Sequence, residues 1–94
     1  PAARLANGLG LLDYAEGNLA QAQERFRQAA RYASRPTGDP ALGAEAYGHL
    51  ANTLRRVGNP DEAERAYRES LALAKRAGDS EAYGRQLRTL TAMY

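Results

Sequence analysis

Cysteine is absent from this chain of 94 residues, so neither a disulfide frame nor a thiolate metal site can be built. Histidine occurs once, at His49, which excludes a histidine metal cluster and any nucleophile pair that needs a second imidazole. Isoleucine is missing and Val57 is the only valine, so the β-branched residues that favour strands are scarce. No apolar run approaches the ~20 residues that cross a bilayer, and no signal-peptide pattern opens the chain. A cytoplasmic location is the default expectation. Lysine is nearly absent too: Lys75 stands against twelve arginines. A GC-rich bacterial coding sequence explains that bias more economically than a phosphate ligand does. Basic and acidic side chains nearly balance, at 13 and 11, so charge alone does not announce nucleic-acid binding.

What is present is helix-forming: alanine, leucine, arginine and glutamate dominate. A repeat organises them. At an offset of 41, Leu9-Gly10 falls on Leu50-Ala51, Gly17-Asn18 on Gly58-Asn59, Ala22 on Ala63, Phe26 on Tyr67 and Ala33 on Ala74. At an offset of 40, Gly38-Asp39 falls on Gly78-Asp79 and Leu50 on Leu90. One extra residue in the 35–40 connection accounts for the difference. The chain is expected to be a single domain, 1–94, made of repeat one (3–37), repeat two (40–77) and the first helix of a third (80–94). Because it opens at Pro1 and stops at Tyr94, it is expected to be a fragment of a longer protein.

Punctuation divides each unit into two helices. Gly17 and Gly58 suit left-handed helix ends, and the asparagine after each suits a cap, with Gln21 and Glu62 completing capping boxes. Pro40 and Pro60 follow Asp39 and Asn59 as first helical residues, and Asp79 opens the last helix. The expected helices are about 3–16, 19–34, 40–57, 60–77 and 80–94. Apolar spacing supplies the buried stripes: Leu5, Leu9 and Leu12 against Ala22, Phe26, Ala29 and Ala33 in unit one. In unit two, Tyr47, Leu50, Ala51 and Leu54 face Ala63, Tyr67, Leu71 and Ala74. Short connections make the neighbours antiparallel.

These residues resemble the tetratricopeptide repeat. Leu9-Gly10, Gly17-Asn18, Ala22, Phe26 and Ala29 match its pattern in unit one. Leu50-Ala51, Gly58-Asn59, Ala63, Tyr67 and Ser70 match it in unit two, and Leu90-Thr91 opens unit three. The usual early tryptophan is replaced by Ala6 and Tyr47, and the closing proline is missing. The ~40-residue period exceeds the ordinary ~34. Units of that length resemble those of kinesin light chains and of the sensor arms of large bacterial transcription activators, to which the segment from Leu50 to Asp79 is similar. The resemblance implies an all-α fold, with antiparallel hairpins stacked as a short right-handed α-solenoid of five helices and two and a half repeats.

It also implies that the first helix of each unit lines a concave face. The residues expected there are Arg4, Asn7, Leu11 and Tyr14 from unit one, Glu45, His49, Asn52, Arg55 and Arg56 from unit two, and Arg85, Arg88 and Thr89 from the last helix. Arginine binds carboxylates bidentately, so an acidic peptide or a C-terminal carboxylate is one expected ligand; a merely solvated face is the other reading. Leu11 and His49 stand where a chaperone-type carboxylate clamp would want asparagine, which argues against that clamp. No acid–base couple, phosphate loop or metal set emerges, so no catalysis, metal or cofactor is expected. The expected function is a protein-interaction module, in its narrower form the effector arm of a bacterial regulator. The alternatives are a self-associating scaffold joined through the terminal helix at Leu87, Leu90 and Tyr94, and weak nucleic-acid binding by the arginine face.

Overall fold

Three of the chain's helices end in the same way, and those ends set its course. In the computed structural model, which describes residues 2–93, the helices are α1 (Ala2–Ala15), α2 (Leu19–Ala33), α3 (Pro40–Arg56), α4 (Pro60–Ala77) and α5 (Ser80–Ala92). Gly17, Gly58 and Gly78 close α1, α3 and α4 with φ of 82°, 86° and 70°, values that L side chains resist. The next amide then donates back into the finished helix: Asn18 N to Asp13 O at 2.8 Å, Asn59 N to Leu54 O at 2.9 Å and Asp79 N to Ala74 O at 3.0 Å. This Schellman geometry satisfies carbonyls that have no partner inside the helix and reverses the chain in two or three residues.

The caps are less uniform than the repeat suggests. Asn59 accepts from Glu62 N at 3.4 Å and its side-chain amide donates to the Glu62 carboxylate at 2.9 Å, while its backbone N–H returns to Leu54 O. Asp39 accepts from Ala41 N at 3.0 Å, and Asp79 accepts from Ala82 N at 3.0 Å. Asn18 makes no side-chain cap bond, so the box expected with Gln21 does not form. The first turn of α2 is held instead by main-chain bonds, including Ala22 N to Asn18 O at 2.9 Å.

The helices pack in sequence order, each against the next, as a stack of antiparallel hairpins. The main core joins Ala22, Phe26, Leu50, Ala51, Leu54, Ala63, Ala66, Tyr67 and Leu90, and Tyr47 touches this cluster and both smaller ones. Phe26 and Tyr67, one repeat apart, have no exposed surface. Small residues bring the backbones together around them. Ser70, fully buried, donates to Ala44 O at 2.6 Å, so its hydroxyl leaves no unsatisfied donor in the core.

The stripe expected on α1 is a correction. Ala6, Asn7 and Gly10 are its buried residues, whereas Leu5 and Leu12 are 66% and 62% exposed and Leu9 is half-buried. The reason is the close approach of α1 to α2: a Cβ on Gly10 would lie 2.7 Å from the Phe26 ring, so only small residues fit that side. The leucines turn away to the face whose counterpart on α3 is covered by α2, where Ala46 packs with Ala29 and Ala30. Tyr94, expected on the terminal apolar face, lies outside the described residues.

Two neighbouring glycines of α1 should therefore respond oppositely to alanine. Gly8 has open space around it, and Gly8→Ala should raise stability by up to about 1 kcal/mol through helix propensity. Gly10→Ala should lower it by about 1–3 kcal/mol through overpacking on Phe26. Phe26→Ala and Tyr67→Ala should each cost about 3–5 kcal/mol. Urea unfolding monitored by circular dichroism checks all four.

Candidate binding groove

The first helices of the units, α1, α3 and α5, border a groove of about 510 Å³. Of the residues expected on the concave face, Arg4, Glu45, His49, Asn52, Arg85 and Thr89 line it. The others do not. Asn7 is buried at the α1–α3 contact, where it donates to Glu45 Oε1 at 3.2 Å. Tyr14 lies half-buried against the core with the Arg56 guanidinium 4.9 Å above its ring, which ties the C-terminal ends of α1 and α3 together. Leu11, Arg55 and Arg88 are exposed outside the lining.

The groove also takes in residues that were read only as helix starts. Asp39 and Asp79, the caps of α3 and α5, stand on its rim. Their equivalent position after Gly38 and Gly78 could have placed both at the same end of the first helices. Gly48 and Gln86 were missed altogether: a Cβ on Gly48 would meet Gln86 Nε2 at 2.5 Å, so the glycine lets α5's glutamine lie against α3. On the groove side of the core, Tyr67 donates a hydrogen bond to Asn52 Oδ1. That bond occupies the oxygen of the amide and fixes its orientation. Burial raises the Tyr67 phenol above its ordinary range, so it remains a donor at neutral pH.

A tetratricopeptide-repeat family model matches residues 1–76. The chain belongs to the tetratricopeptide repeat family. No curated protein and no solved structure matches it. Repeats of this family mediate protein–protein interaction and form a non-catalytic fold. Among the described residues, no set of His, Cys, Asp and Glu side chains is grouped to hold a metal ion, and no helix is long and apolar enough to cross a membrane.

His49 is the chemically distinctive member of the tetratricopeptide groove. Its ring packs on Phe26 with centroids 5.2 Å apart, and Glu45 Oε1 lies 3.6 Å from Nε2. Burial pulls the imidazole below its ordinary value of 6.5; Glu45 works in the opposite direction, and the Arg85 charge adds to the lowering. The ring is therefore neutral at pH 7. A folded-state value below the unfolded one means that the unfolded chain binds more protons, so stability present above about pH 6.5 is lost as pH falls. The melting temperature should drop between pH 7.5 and pH 5, and His49→Gln should make that drop smaller. Thermal melts at the two pH values decide it.

Proposed function

We propose that the chain is a protein-interaction module that holds a segment of a partner protein in the groove bordered by α1, α3 and α5. The observation that carries this reading is the groove itself, whose wall sets apolar surface at Ala41 and Leu42 beside polar groups at Asn52, Gln86 and Thr89. Apolar wall takes side chains, and a few placed polar groups fix orientation, which is the usual division of labour in a binding cleft. Asn52 suits this role because its oxygen is engaged by Tyr67, leaving its Nδ2 to donate to a peptide carbonyl. On this reading the repeats at 3–37 and 40–77 and the helix at 80–94 act as one unit, since each contributes to the wall. Asp39, Glu45 and Asp79 on the same groove favour a peptide over a nucleic acid, whose phosphates they would repel.

A second reading has its own observation. Leu5 and Leu12 on α1, and Tyr83 and Leu87 on α5, leave apolar faces open at opposite ends of the stack, with Leu87 43% exposed. A second copy could cover them head to tail.

Selection from a displayed random-peptide library tests the first reading. Peptides enriched on the wild-type module should lose binding to Asn52→Arg with Thr89→Arg and keep it with Arg65→Glu, on the outer helix α4. Enriched peptides indifferent to the groove pair would overturn it. For the second reading, light scattering at high concentration should give a multimer that Leu5→Glu reduces to a monomer; a wild-type monomer sinks it.

A further inference from the structure

One wall of the groove is held more lightly than the rest of the stack. Side-chain bonds cross between the other helices: Arg25 meets Asp13 at 3.7 Å between α2 and α1, and Asn7 donates to Glu45 at 3.2 Å between α1 and α3. Arg27 meets Glu62 at 2.8 Å between α2 and α4, and Ser70 donates to Ala44 O at 2.6 Å between α4 and α3. Among the described residues, no side chain of α5 bonds to another helix; Thr89 and Thr91 donate to carbonyls of α5 itself, Arg85 O and Leu87 O. Ala82 and Leu90 are its buried residues, and between them Gln86 rests on Gly48 of α3. A helix with so few buried side chains and no polar tie sits at the low end of local stability.

We propose that His49 is a pH-operated latch on α5: neutral, it lets α5 lie against α3, and protonated it drives α5 away and widens the groove. The placement is specific. Gly48 and Gln86 form the seat, and the residues beside them in the chain are His49 and Arg85, which line the groove together. An imidazolium there feels the Arg85 guanidinium across the one close contact between α3 and α5, and like charges in a part-buried site repel. The latch concerns the wall itself, so it stands whether or not a partner segment binds in the groove. On the binding reading, acid withdraws one of the two walls that hold the segment.

The surroundings of His49 set the direction. On its own helix, Glu45 Oε1 lies 3.6 Å from Nε2. From α2 it meets the uncharged Phe26 ring, with centroids 5.2 Å apart. From α1, Arg4 shares the lining and Asn7 holds Glu45; Asp39 and Asp79 stand on the rim, and the Tyr67 hydroxyl of α4 is engaged by Asn52. Burial lowers the imidazole's pKa most, Glu45 raises it and Arg85 lowers it again. Moving α5 off the wall wets the ring on its groove side and removes the Arg85 charge, so the open arrangement binds the proton more tightly than the closed one. The ratio of open to closed therefore rises as pH falls below 6.5. The rise is about tenfold for each unit by which opening raises the imidazole's pKa. Carboxylates ordinarily titrate near ~4, below that window.

NMR of the isotope-labelled, ligand-free protein tests the latch, because its single histidine gives ring resonances that titrate without overlap from another. From pH 7.5 to pH 5 the NOEs between Gly48 and Gln86 should be lost with the same midpoint as the His49 ring, while those between Gly10 and Phe26, inside the first hairpin, persist. His49→Gln should keep the Gly48–Gln86 NOEs at pH 5. Arg85→Gln should keep more of them than the wild type and raise the His49 midpoint, whereas Arg88→Gln, outside the lining, should behave as the wild type. Should His49→Gln lack the Gly10–Phe26 NOEs at pH 7.5, and so be misfolded, Arg85→Gln carries the test. Gly48–Gln86 NOEs that survive the titration of His49 in the wild type overturn the proposal, as does their loss in a folded His49→Gln. Loss of the Gly10–Phe26 NOEs at the same midpoint means that the whole stack unfolds, and overturns it too. The groove reading fails separately: library peptides indifferent to Asn52 and Thr89 would overturn it and leave the ligand-free spectra untouched.

Discussion

The Phe26 ring has no exposed surface, and much of the molecule is arranged around its seat. It presses on Gly10 closely enough that a Cβ there would sit 2.7 Å from it, which draws α1 onto α2. It packs in the same cluster as Leu50 and Ala51 of α3, which brings the second unit against the first. It also faces the His49 ring, 5.2 Å away on the groove. One ring thus sets the spacing of a hairpin, joins it to the next hairpin and supports a residue of the groove. Tyr67 repeats the first two roles a unit later and adds a polar one, because its hydroxyl holds Asn52. In a domain of this size such a ring supplies a large share of the net stability, which for single domains is only ~5–15 kcal/mol.

Much of the architecture was legible because its signals are local. Gly-Asn and Gly-Asp pairs mark helix ends that need a left-handed residue, and the structure closes α1, α3 and α4 on those glycines. Phe26 and Tyr67 stand out as the large residues of otherwise alanine-rich helices, and both are fully buried. The first helix was harder. Leucines occur around much of α1, so apolar spacing alone does not select a face, and the buried side belongs to Ala6 and Gly10 because closeness rather than hydrophobicity decides it. Asn18 was misleading for a related reason: a good cap residue makes its bond only if the local backbone presents an amide to it.

The groove was legible in outline and not in its charges. Helical spacing groups Arg4, Glu45, His49, Asn52 and Arg85 along the first helices, and they do line one cavity. It does not reveal that Asn7 sinks beneath Glu45, that Arg56 lies over Tyr14, or that Arg55 and Arg88 stand outside the lining. Nor does it say which charges are spent. That depends on distances between helices far apart in sequence, such as the 2.8 Å from Arg27 to Glu62.

On the proposed reading the first helices form the contact surface and the second helices form its support. Titrating a library-selected peptide into isotope-labelled protein, with backbone amides followed by NMR, tests that division residue by residue. Shifts should gather on α1, α3 and α5, with Gly48, Asn52 and Gln86 among them. Shifts gathered instead on the outer helices, around Arg31 and Lys75, would contradict it.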